Sequence, residues 1–274
     1  MPVLCPPVFE RILAAVVLAV LAVLAGCAGV DPGASLATPI RFLLTFDDGP
    51  GASTAQVLDT LAANPVQPGI KSIFFVQTRA PQAGAGEAGR ALMRRSHGEG
   101  HVLAVHTGTP HGHVSHMALS PQELKDSLTH AKADIAAITA ATPRLVRPPY
   151  WSYDPDTLAA YEHAGLAMLL TDVNARDGVV YGVNLVPARR SLMRLQLERI
   201  KREMQEGRLP AVDGAAPLVV TFHDVNAHTA SQLAEYLRFL VEDAAALGLM
   251  LAQPPFYDRR EDLERAALLR ARRL

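Results

Sequence analysis

The sequence predicts an α/β fold, a distorted barrel of about seven (β/α) units resembling a TIM barrel. Three observations lead there. From Pro39 onward, short runs rich in Val, Ile, Leu and Phe alternate with longer stretches of helical periodicity. No break in composition and no internal repeat divides the chain after that point, so the units belong to one domain. With that many units in one domain, a closed or nearly closed barrel is favoured over an open sheet.

The first element is an almost purely apolar run, Ile12 to Leu24, preceded by Arg11. It falls short of the ~20 apolar residues of a membrane span and suits the core of a secretory signal. The run ends in Leu24-Ala25-Gly26-Cys27, which is similar to a bacterial lipobox. That similarity implies cleavage before Cys27, acylation of Cys27 and a lipid anchor in the membrane. Ala28 after the cysteine implies sorting to the outer membrane, facing the periplasm. Residues 1–26 are therefore read as a lipoprotein signal peptide. Residues 27–38, small, polar and Gly/Pro-bearing, are read as a tether.

The strand-like runs are Ile40–Phe46, Ser72–Gln77, Val102–Val105, Leu145–Val146, Ala167–Leu170, Leu218–Phe222 and Leu249–Ala252. Between them lie helical stretches at Ser53–Ala63, Glu87–His97, Pro121–Ala140, Pro155–His163, Ala188–Glu206 and Thr229–Leu247. Residues 39–256 form the barrel on this reading. Residues 257–274, Arg-rich with leucines at helical spacing, form a basic C-terminal helix packed on it. Of the 274 residues 49% are hydrophobic and 19% charged, which excludes disorder, collagen and coiled coil. A net charge of -1 argues against a nucleic-acid partner. Two cysteines cannot build a disulfide scaffold.

In such a barrel the loops that follow the strands share one face, where the chemistry belongs. Reactive residues cluster at those positions. Asp47 and Asp48 follow the first run, His106 the third and Arg147 the fourth; Asp177 comes shortly after the fifth and His223 directly after the sixth. Adjacent carboxylates on an extended chain point different ways, so Asp47 and Asp48 suit two roles. Four histidines, His106, His111, His113 and His116, stand within eleven positions. Two of them with one carboxylate would hold a divalent metal and leave positions open for water and substrate. In Arg147-Pro148-Pro149-Tyr150 the two prolines fix an extended path that presents the Tyr150 amide. A histidine after a buried strand, as His223 is, can serve as a general acid, or can be a core histidine satisfied by Asp224.

Together these segments resemble the polysaccharide deacetylases of carbohydrate esterase family four, the NodB-homology group. The resemblance covers roughly Ile40 to Leu251. Thr45-Phe46-Asp47-Asp48-Gly49-Pro50 is its most specific motif and is intact. It implies Asp47 as catalytic base, Asp48 and His106 as metal ligands, and Arg147 as the residue that orients the base. It further implies the Tyr150 amide as oxyanion donor, His223 as catalytic acid and Asp177 as the residue that tunes it. Four residues after His106 stands Pro110 where the family has histidine. Counting back from Leu119-Ser120 places the second histidine ligand at His113, with His111 and His116 as rivals. Gly178 stands where tryptophan is usual, Trp151 where glycine is usual and Thr221 where leucine is usual.

The implied activity is metal-dependent hydrolysis of N-acetyl groups from an amino-sugar polymer such as poly-N-acetylglucosamine or chitin, with zinc as the expected metal. The altered histidine loop leaves room for a related hydrolase acting on peptidoglycan, O-acetyl esters or cyclic imides. A non-catalytic sugar-binding lipoprotein would need neither Asp47 nor His223. A metal-storage protein would not need Arg147-Pro148-Pro149-Tyr150.

Overall fold

The computed structural model describes residues 31, 32, 34–178 and 187–271. The signal peptide and Cys27 read from the sequence lie outside these residues. No helix among the described residues is long and apolar enough to cross a membrane.

One sheet organises the fold. Its strands are β1 (Ile40–Asp47), β2 (Ser72–Gln77), β3 (Val102–Thr107), β4 (Leu145–Val146), β5 (Ala167–Met168), β6 (Val173–Asn174), β7 (Ala216–His223) and β8 (Leu251–Phe256). All pair in parallel, in the order β5-β4-β3-β2-β1-β7-β6, with β8 joining β1 as a further partner. No ladder joins β5 to β6 among the described residues, so the curled sheet remains open at that seam. The helices are α1 (Thr54–Ala62), α2 (Glu87–Gly98), α3 (Pro121–Thr139), α4 (Pro155–His163), α5 (Arg190–Gln205), α6 (Ala227–Ala246) and α7 (Arg260–Arg270). This is the (β/α) barrel expected from the alternation. The expected seven runs became eight strands because Val173–Asn174, only two residues long, carries too little pattern to be read.

Local chemistry sets the helix starts. Ser120 and Glu123 form a reciprocal capping box at α3, with Pro121 at its first position. Asp154 and Thr157 do the same at α4.

The pleat sorts the strand residues into two cores. Phe42, Leu44 and Phe46 of β1, Leu103 and Val105 of β3, and Val220 and Phe222 of β7 belong to the large core shared with α1, α3, α5 and α6. Their alternates Leu43, Ile73, Phe75, Val102, Ala104, Leu145 and Val219 form a second, inner core. Leu263, Ala266, Ala267 and Leu268 of α7 complete that inner core. The C-terminal helix therefore stops the barrel with an apolar face at the ends where the strands begin, with Arg265 exposed and Arg270 paired to Asp172. At the other end of the chain, part of the 27–38 tether is fastened down. Asp31–Pro32 pairs antiparallel with Pro210–Ala211, and the Ala34 N–H donates to the Leu209 carbonyl at 2.8 Å.

Leu263 is fully buried inside the barrel end. Leu263→Ala should lower unfolding free energy by about 2–5 kcal/mol, read as a fall in denaturant midpoint at constant m-value.

Candidate active site

The inward-facing register continues past the apolar layer to the carboxyl ends of the strands, and there it turns polar. Two residues beyond Leu43 and Thr45 comes Asp47; beyond Ile73 and Phe75, Gln77; beyond Val102 and Ala104, His106; beyond Leu145, Arg147; beyond Val219 and Thr221, His223. Asp47 and His223 are direct register partners on β1 and β7. Asp47, Asp48, His106, His113, Tyr150 and His223 line one cleft of about 730 Å³.

Arg147 lies under the cleft with no exposed surface. Its Nη1 donates to Asp47 Oδ1 at 2.8 Å and to Thr45 Oγ1 at 2.6 Å, and its Nε donates to the Leu169 carbonyl at 2.9 Å. Its guanidinium sits 4.1 Å from the Phe75 ring centre and 5.0 Å from that of Trp151. Burial lowers the guanidinium's pKa, and the Asp47 carboxylate opposes that shift. Thr221 also belongs to this cluster. Its hydroxyl lies 2.9 Å from those of Thr45 and Thr171, so a leucine there would remove one partner from each.

Asp48 occupies the left-handed region at φ 73°. Its Oδ1 lies 3.1 Å from His106 Nε2 and 3.3 Å from His113 Nε2. One ligand atom from each of the three residues falls within 4.8 Å of the others. His106 Nδ1 lies 2.8 Å from the Arg147 carbonyl, which can only accept, so Nδ1 carries the proton. That leaves His106 Nε2 a bare lone pair, buried and without a hydrogen-bond partner, facing a carboxylate oxygen. Burial pushes His113 down to about 4 against the pull of Asp48, so its imidazole is neutral at physiological pH. Three lone-pair donors thus converge with nothing electropositive between them, an arrangement that a divalent cation satisfies.

Of the other two loop histidines, His111 is solvent-exposed. His116 is fully buried, its Nδ1 2.7 Å from the Tyr161 hydroxyl, and stands outside the Asp48 group. Tyr150 is exposed and left-handed (φ 58°). Its hydroxyl donates to the His113 carbonyl at 3.0 Å and its ring lies 4.3 Å from the His113 imidazole, which braces the inserted loop.

His223 pairs with Asp177, not with Asp224. The Asp177 carboxylate accepts from His223 Nδ1 at 2.9 Å and from the His223 backbone N–H at 3.1 Å. Burial of the ring works against its charge, but Asp177, Asp48 and Asp47 push His223 up to about 9. Asp177 is itself fully buried and is held by Thr229 Oγ1 at 2.5 Å on the first turn of α6. Asp224 instead accepts from Thr54 Oγ1 at 2.5 Å. Its carboxylate fills the space beside Gly49, where a Cβ would lie 2.1 Å from Asp224 Oδ2. The Gly in Asp47-Asp48-Gly49-Pro50 is thus required by a close approach.

Sequence reasoning missed Gln77, Thr54, Thr229 and Gln196. Gln196 brackets Asn174, donating to its carbonyl at 2.9 Å and accepting from its N–H at 2.8 Å. Only Gln77 had a legible signal, since it continues the inward alternation of Ile73 and Phe75.

Residues 37–169 match the family model described as polysaccharide deacetylase. A chitooligosaccharide deacetylase from a Bradyrhizobium species is 37% identical over 146 residues, 52% of this chain and 61% of that protein. A chitin deacetylase from a Pestalotiopsis species is 28% identical over 139 residues, 51% of this chain and 44% of that protein. The chain spans about half the length of these curated relatives. The solved chitin deacetylase of Colletotrichum lindemuthianum shares its fold, with a TM-score of 0.57 at 23% identity over 85% of this chain and 95% of that one. The matched residues include both aspartates, the histidine loop and Arg147 to Tyr150, whereas Asp177 and His223 lie beyond them. Residues 37–169 are therefore similar to a polysaccharide deacetylase domain, and the fold is that of the solved deacetylases.

Proposed function

We propose that the protein hydrolyses N-acetyl groups from an amino-sugar polymer, poly-N-acetylglucosamine or a chitin-like chain, releasing acetate and a free amine. The observation that carries this reading is the meeting, in one cleft, of the Asp48–His106–His113 group with the Arg147–Asp47 and Asp177–His223 pairs. In this reading Asp48, His106 and His113 hold a divalent metal, zinc by preference for two imidazoles and a carboxylate. When bound, it would polarise the acetyl carbonyl and acidify a water. Asp47, oriented by Arg147, accepts the proton of the water that attacks the carbonyl carbon. The Tyr150 backbone amide donates to the developing oxyanion, a contribution of about 3 kcal/mol for one such donor. His223, charged at neutral pH through Asp177, gives its proton to the nitrogen as the C–N bond breaks. An amide demands that acid, because an unprotonated amine is a poor leaving group. Two features reshape the groove. Trp151 packs over Arg147, and Gly178 puts no side chain against the His223 ring, where a Cβ would lie only 3.3 Å from the imidazole. We further propose that Cys27 anchors the protein in the cell envelope, facing the periplasm.

Acetate release from chito-oligosaccharides should be abolished by a chelator and restored by added zinc. Asp47→Asn and His223→Ala should each lower kcat by about 10²–10⁴-fold while the metal content of the purified protein stays at the wild-type level. Normal turnover in both variants would overturn the assignment. Because His223 must be protonated to act, activity should fall as pH rises through about 9. Asp177→Asn removes the charge that favours the imidazolium, so the alkaline limb of the kcat profile should move down toward the ordinary histidine value of 6.5.

A further inference from the structure

Gln77 is buried at the end of β2 and reaches the Asp48-Gly49 turn at three points. Its backbone N–H donates to the Gly49 carbonyl at 2.8 Å. Its side-chain Nε2 donates to the Asp48 carbonyl at 3.0 Å and lies 3.4 Å from Asp48 Oδ1, the oxygen that faces both imidazoles. Both of those partners are acceptors, so the amide can point only one way. The orientation leaves Oε1 buried with no hydrogen-bond partner. Oε1 lies toward Gly112, the left-handed residue (φ 75°) just before His113, where a Cβ would come within 3.2 Å of it. One amide therefore sits between the turn that carries Asp48 and the loop that carries His113. Retaining a buried, unpartnered oxygen costs stability, and that cost marks a residue kept for what its other end does.

We infer that Gln77 is a positioning residue for the metal group, holding the strained Asp48 backbone and aiming its Oδ1 at the imidazoles while the inserted loop closes over it. This inference rests on the metal-binding reading above. Outer partners of this kind typically contribute 10–100-fold in metal affinity. The test is a titration of full-length wild type, Gln77→Met and Gln77→Asn with zinc by calorimetry and with cobalt by visible absorption. Gln77→Met keeps the length but cannot donate; Gln77→Asn stays polar but withdraws the amide by one bond. We expect zinc affinity to fall by about 10–100-fold in Gln77→Met and by a smaller factor in Gln77→Asn, with a changed cobalt spectrum. If wild type binds zinc and a folded variant binds it equally well, the role of Gln77 is overturned and the functional reading stands. If wild type binds neither metal, both fall.

Discussion

A guanidinium with no access to water must find every partner inside the protein, and Arg147 does so by drawing three strands together. Its side chain engages Asp47 and Thr45 on β1 and the carbonyls of Leu169 and Leu170 after β5, while its own carbonyl meets His106 on β3. Breaking a buried charge pair by removing one member commonly costs about 3–5 kcal/mol, because the charge left behind has no solvent. The same contacts that satisfy Arg147 orient the carboxylate above it and fix which nitrogen of His106 faces the cleft. Stability and site geometry are coupled in this one side chain.

The turn after β1 shows how tightly the mouth is built. Asp48 adopts a left-handed backbone that a non-glycine residue enters at a cost. The turn is held there by Gln77 on one side and by the approach of Asp224 to Gly49 on the other. Asp224 is in turn bound by Thr54 at the start of α1. The ligand-bearing turn thus leans on the ends of both strands that flank β1 and on the start of α1.

Two histidines in one cleft are driven in opposite directions by their surroundings. Burial keeps His113 neutral, with a lone pair free to bind a cation. His223 is also shielded from water, yet the carboxylate of Asp177 on its Nδ1 keeps it charged. Where burial outweighs the nearby carboxylate the ring stays neutral, and where a carboxylate is hydrogen-bonded to it the ring stays charged. Gly178 contributes by omission, since a larger side chain would lie against the acid's imidazole.

Much of this was legible in the chain itself. Strongly apolar β-runs ending in Asp47, His106, Arg147 and His223 predict both the barrel and the face that carries its chemistry, because parallel strands put their carboxyl ends on one side. The choice among His111, His113 and His116 was not legible. An insertion changes the loop's path, and only packing against Tyr150 and Gly112 brings His113 to Asp48. Spacing alone could not separate Asp177 from Asp224 as the partner of His223, and only the family resemblance pointed to Asp177: the adjacent residue points away along the pleat, and the one 46 positions earlier comes back across the sheet. Local pattern determined which residues could react and at which end of the strands. Long-range contacts decided which of them meet, since hydrogen bonds and lone pairs act over about 3 Å and sequence distance says nothing about that length.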